Sequence, residues 1–138
     1  MKKNVIVLVM ALGMVFAQIA FSGENLADLA AAKKAELNNT EWAVQVALIG
    51  GKGRAEADVI SFVEGKMISK NMRNAGFNDA EINVRIGEEG LVIWETMQAD
   101  GKGDFAFWRG DIENGRMKGV LTKEDKRGAI SNFSFVSK

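Results

Sequence analysis

Residues 94–121 read WETMQADGKGDFAFWRGDIENGRMKGVL, and the pattern of this stretch decides the fold. Apolar or small side chains recur at every second position in Trp94 and Thr96, then in Ala106, Trp108, Gly110 and Ile112, then in Met117, Gly119 and Leu121. A period of two marks a β-strand with one buried face. Ala99 to Asp104 holds two glycines, and Glu113-Asn114-Gly115 contains an Asn-Gly pair, the strongest short-range hairpin signal in the chain. The stretch therefore reads as three strands joined by two tight turns, with Trp94 and Trp108 facing each other across the first.

The same pattern continues in both directions. From about Thr40, Trp42, Val44, Val46 and Leu48 alternate with Glu41, Ala43, Gln45 and Ala47, until the glycine-rich run Ile49 to Gly53 breaks the strand. A second strand, from about Ala55 to Val63, turns Ile60 and Phe62 inward; Glu64-Gly65 turns the chain into a short third strand, Lys66 to Ser69, carrying Met67. Alternation stops between Lys70 and Ala80, where one helical turn or an irregular crossover ending at Gly76 fits, with Phe77 as its anchor. Ile82, Val84 and Ile86 form a fourth strand, paired as a hairpin through Gly87 to Gly90 with the strand that carries Trp94. After the charged loop Lys123 to Gly128, a last strand from about Ala129 to Val136 turns Phe133 and Phe135 inward.

These strands are joined by hairpins with no βαβ crossover, which predicts an all-β fold: an up-and-down antiparallel barrel of about eight strands. Closure removes the exposed edges of such a meander. Eight strands enclose an interior just wide enough to be filled by side chains or to hold one small ligand. A two-sheet sandwich is the competing architecture.

Ahead of the barrel, residues 1–22 read MKKNVIVLVMALGMVFAQIAFS: two lysines, an apolar run and an Ala-x-Ser site, as in a signal peptide cleaved between Ser22 and Gly23. A transmembrane anchor is the other reading of the apolar run, but Gln18, the short basic head and the Ala-x-Ser pattern favour cleavage. The expected location is secreted or periplasmic, with no membrane anchor after cleavage. Residues 23–39 are Ala-rich, with acidic residues early and Lys33 and Lys34 late, the charge order that suits a helix dipole. They read as a short helix or flexible leader, or as a lid packing Leu26 and Leu29 over an opening of the barrel. Residues 40–138 are then a single barrel domain.

Composition excludes more than it identifies. The formal net charge is +0, and without Lys2 and Lys3 the mature chain carries 16 basic against 18 acidic residues, which gives no footprint for nucleic acid. There is no Cys, which rules out disulfides, thiol nucleophiles and thiolate-ligated metals, and no His, the commonest general base and metal ligand. Tyr is also absent, so any enzyme chemistry would fall to a carboxylate pair or an activated Lys. We expect no enzyme, no catalytic residues and no cofactor. Pro is absent too, so Gly and Asn must shape the turns.

The opening NNTEWAV at residues 38–44, WETMQ at 94–98, FWRGDI at 107–112, RMKGVL at 116–121 and the closing FSF at 133–135 resemble small secreted calycin-like barrels, the group that holds lipocalins, avidins and bacterial barrel inhibitors. The resemblance spans about Thr40 to Lys138. Thr40 stands where the Gly-x-Trp opening of lipocalins has its glycine, and the disulfides common among them cannot form. What the resemblance implies is therefore the fold and no particular ligand.

Two sets of residues stand as candidate sites. Trp42, Trp94, Trp108, Met117 and Phe133, with the inward polar pair Thr96 and Gln98, would line a cavity for a small apolar or peptide-like ligand. Alternatively the aromatic rings simply fill the barrel, and Thr96 and Gln98 find partners within it. The small residues Ala106, Gly110 and Gly119 fit both readings, since they make room either for a ligand or for bulky neighbours. The second set is outward: Leu91, Ile93, Phe105 and Phe107 would form an apolar patch that docks a protein partner, a second copy of the chain or the leader helix. Asp100 and Asp104 lie across glycines like the start of a calcium loop but lack its other oxygen ligands, so no metal is expected, and the GGKG at 50–53 is not followed by the helix a phosphate loop needs.

Overall fold

The computed structural model describes residues 24–138, and the signal-peptide reading of residues 1–22 lies outside them. The chain runs α1 (Glu24–Leu37), β1 (Thr40–Leu48), β2 (Glu56–Val63), β3 (Lys66–Ser69), α2 (Lys70–Asn74), β4 (Ala80–Glu81), β5 (Asn83–Ile86), a 3₁₀ turn (Glu88–Gly90), β6 (Val92–Ala99), β7 (Phe105–Glu113), β8 (Arg116–Glu124) and β9 (Ile130–Ser137). Neighbours in the sheet follow the order β4-β3-β2-β1-β9-β8-β7-β6-β5, all antiparallel. Among the described residues, only the β1–β9 pairing joins strands distant in sequence, and it closes the meander into a nearly complete barrel. The sandwich alternative is thereby set aside.

The fourth expected strand is present but divided. Its first part, β4, pairs with β3, and its second, β5, pairs with β6, with Ile82 between them donating its N–H to the Gly65 carbonyl at 3.0 Å. β3 is only four residues long, so one strand must change partners as it passes beyond that end. No ladder joins β4 to β6, and side chains lace this seam instead. Thr96 Oγ1 donates to the Glu81 carbonyl at 2.7 Å, and Gln98 Nε2 donates to the Asn78 carbonyl at 2.8 Å. Asn78 in turn donates its N–H to the Ala99 carbonyl at 3.0 Å, while its Oδ1 accepts from the Ala99 N–H at 2.8 Å.

The leader is a helix whose ordering comes from its C-terminal end. Leu37 is buried in the core, Asn38 Oδ1 accepts from the Gly65 N–H at 2.8 Å, and α1 packs against β5. Leu26 and Leu29 are 47% and 41% exposed, so they do not seal the barrel as a lid would. The helix has too little apolar face to dock along its whole length, and the one leucine at its end does the anchoring.

Turn chemistry replaces proline with left-handed residues. Glu64-Gly65 (φ 52° and 75°) and Asn114-Gly115 (φ 51° and 73°) have positive φ at both central positions of two-residue hairpins, as a type I′ turn requires. Between β3 and β4, Ser69 caps the single turn of α2, and Phe77 packs against the core as expected.

Cross-strand neighbours show how the interior is occupied. Trp94 lies opposite Gly110, Gly110 opposite Gly119, and Gly119 opposite Phe135. A Cβ on Gly110 would stand 2.2 Å from Trp94 Nε1, and one on Gly119 would stand 2.5 Å from the Phe135 ring. The two rings thus lie flat on the backbone that the glycines leave bare. Trp94 meets Phe62 edge-on at 5.2 Å, Phe135 at 6.0 Å and Trp108 at 6.4 Å, making it the centre of the aromatic cluster. Its Nε1 is buried without a hydrogen-bond partner.

Candidate functional site

The interior residues divide into packed core and rim. Trp94, Trp108 and Met117 are buried among Phe62, Met67, Leu121 and Phe135. Gln98 is buried with both amide atoms engaged: its Oε1 accepts from Trp108 Nε1 at 2.8 Å, and its Nε2 serves the seam. Thr96 belongs to the seam as well. Trp42 is half-buried near α1, where its Nε1 donates to Thr40 Oγ1 at 3.0 Å and that hydroxyl donates to the Leu37 carbonyl at 2.6 Å. Of these seven residues, Phe133 borders the open end of the barrel beside α2, Met117 also lines a cavity of about 280 Å³ with Asp111, Glu113 and Arg116, and Thr96 and Trp108 also reach a groove of about 700 Å³.

That open end is a cavity of about 320 Å³ at the edge of β1, β2, β8 and β9, beside α2. Its apolar floor is Val46, Leu121, Phe133 and Met72, with Leu48 at the rim. Register explains this grouping: Leu121 lies opposite both Trp108 and Phe133, and Phe133 opposite Leu48, so the floor is the last inward row above the aromatic cluster. Small-ligand sites are typically concave and apolar with a few polar groups, from about 300 Å³ upward.

Five polar side chains complete the wall: Arg54, Glu56, Asp58, Asn71 and Lys123. Asp58 is buried, and its oxygens are occupied by the protein. Oδ1 accepts from the N–H groups of Val59 at 2.7 Å and Asn71 at 3.0 Å, and Oδ2 accepts from Ser69 Oγ at 2.5 Å. The same Ser69 Oγ accepts from the Met72 N–H at 3.1 Å, so this network holds α2 against the mouth. Lys123 Nζ stands 4.9 Å above the centroid of the Phe133 ring, within cation–π range. The inward alternation of Ile60 and Phe62, extended two and four residues backwards, reaches Asp58 and Glu56; that of Met117, Gly119 and Leu121, extended forwards, reaches Lys123. This alternation is the signal for the rim: Glu56 and Asp58 fall inside the expected second strand without being counted as inward, and Lys123 falls in the expected charged loop.

The outward patch is relocated. Phe105 and Phe107 are exposed, with their rings 6.4 Å apart, and Met97 and Val120 extend them across β6 to β8. Two shallow grooves of about 700 and 540 Å³ meet at Met97 and Phe107. Ile93, expected in the patch, is instead 3% exposed, and Leu91 is half-buried. Ile93 lies opposite Arg85 of β5, and its Cδ1 sits against Gly87 of the β5–β6 turn, where a Cβ would stand 2.9 Å away.

The two aspartates of the β6–β7 loop turn toward the backbone. Asp100 Oδ1 accepts from the N–H groups of Lys102 at 2.7 Å and Asp104 at 3.1 Å, and Asp104 Oδ1 from the Lys126 N–H at 3.0 Å. The Lys102 N–H above all, with that of Asp104, holds the Asp100 carboxyl below its ordinary range. No known protein family model, curated protein or solved structure matches the chain.

Proposed function

We propose that this is a non-enzymatic binding barrel, secreted or periplasmic and of the calycin-like kind, that takes a small apolar ligand at its open end rather than within its interior. The observation that carries the reading is the occupation of Gly110 and Gly119 by Trp94 and Phe135. With the centre filled, the row of Val46, Leu121 and Phe133 offers a ligand an apolar floor inside a cavity walled by four strands and α2, and a smaller cavity of about 280 Å³ lies at Met117 and Arg116. A test is titration of residues 23–138 with a neutral fluorescent apolar probe. Saturable binding to one site is expected, weakened about tenfold by Phe133→Ala, the order of loss for one buried ring contact. No saturable binding, or binding indifferent to Phe133→Ala and Leu48→Asp, would sink the reading.

A second reading is self-association through the outer face, favoured by the contiguous exposure of Met97, Phe105, Phe107 and Val120. Sedimentation at increasing concentration checks it: a dimer that Phe107→Glu abolishes would support it, and a monomer throughout would exclude it.

A further inference from the structure

We infer that the mouth selects an amphipathic anion: an apolar tail on Val46, Leu121 and Phe133, headed by a single carboxylate or similar group placed against Lys123 and Arg54. The inference rests on the open end being the ligand site and adds the chemistry of the ligand.

It follows from which charges of the mouth are free to act outward. The wall carries two cations and two carboxylates. Asp58 is committed, because both oxygens accept hydrogen bonds from Val59, Asn71 and Ser69, so its charge is dispersed into the protein. Glu56 is exposed at the rim. The ion pairs among the described residues are Lys33–Glu36, Arg73–Asp79, Arg85–Glu95 and Arg109–Asp111, so neither Lys123 nor Arg54 is neutralised by a carboxylate.

Placement decides between the signs. Lys123 follows Leu121 by two residues on the same face of β8, and its ammonium stands over the Phe133 ring. A cation is thus fixed at the boundary where the apolar floor meets water, with its alkyl stem along the wall. A ligand whose tail covers Leu121 and Phe133 brings its head group to that boundary. Arg54 lies in the same wall, on the β1–β2 side beyond Leu48, and can approach the head from across the mouth. An ammonium head would meet Lys123 instead, with exposed Glu56 and the already hydrogen-bonded Asp58 to offset the repulsion.

Calorimetric titration with octanoate, octanol and octylammonium separates charge from tail. Octanoate should bind most tightly and octylammonium least, with the octanoate advantage shrinking as salt rises. Lys123→Met, which keeps most of the stem's length, should weaken octanoate about fivefold and leave octanol almost unchanged, the scale of one partly exposed ion pair. Arg54→Gln should act in the same direction, and Glu56→Gln in the opposite one. Octylammonium binding as tightly as octanoate, or Lys123→Met weakening octanoate and octanol alike, would overturn the inference while leaving an apolar mouth site standing. Failure of all three to bind would remove both.

Discussion

Gly110 and Gly119 face each other across β7 and β8, a pairing that ordinarily weakens a ladder because neither residue has a side chain to pack. Here each glycine is the seat of a ring, Trp94 on one and Phe135 on the other. Gly110→Ala and Gly119→Ala should each destabilise by about 3 kcal/mol in urea unfolding, since overpacking a filled core forces rings and backbone to shift. Gly119→Ala should cost more, because its Cβ would also stand 2.0 Å from the rigid Arg109 carbonyl. Glu64 poses the reverse case. Its φ of 52° is one that Asn tolerates better than Glu, so Glu64→Asn should stabilise by roughly 0.5–1 kcal/mol, read as a raised urea midpoint at unchanged slope. Asp100 gives a pH dependence. Its folded pKa is depressed, so its contribution is present above the unfolded value of about 4 and is lost as pH falls through the folded value. The stability gap between the wild type and Asp100→Asn should therefore narrow as pH drops below about 4. That Trp94 and Trp108 point inward was legible from alternation alone. What fills the space above a glycine was not, because it depends on Phe135, which reaches the same row from a strand whose register the sequence does not state.

At the scale of elements, the weakest join is the seam between β4 and β6, where side chains stand in for a ladder. Asn78 holds it through its own N–H, carbonyl and Oδ1. Asn78→Ala should cost about 1–2 kcal/mol and speed amide hydrogen exchange in β4 and the Thr96–Ala99 end of β6 more than in β8, because it leaves the Ala99 N–H without its acceptor. Uniform acceleration across the sheet would show instead that the barrel opens only globally. The strands themselves were readable, since hydrophobic alternation and turn residues agree nearly everywhere. The partner change at Ile82 was not, because it reflects the shortness of β3 rather than anything within the run from Ala80 to Ile86. The outer patch was misjudged at Ile93 for a related reason. Alternation tells which residues leave the core face, but their covering depends on neighbours beyond the strand, here the bare Gly87 of the turn before β6. At the mouth, Asp58 lies within the expected second strand without being counted as inward, and Lys123 falls in the expected charged loop, although both continue the inward alternation.

At the scale of the whole molecule, nearly every ladder joins sequence neighbours, while the single β1–β9 ladder spans the domain. Refolding should be governed by that one long-range pairing, in the millisecond-to-second range of β-rich domains. With no Pro in the chain, stopped-flow refolding should show no phase of tens of seconds and no response to a prolyl isomerase. The β1–β9 ladder also sets an order of events during synthesis. Until Ile130–Ser137 has left the ribosome, β1 and β8 each carry an unpaired row of backbone groups, and the nascent sheet is a template for any other extended chain. The last strand of this barrel is the one that withdraws both edges at once, so the interval before it arrives is when the sheet is most exposed to aggregation.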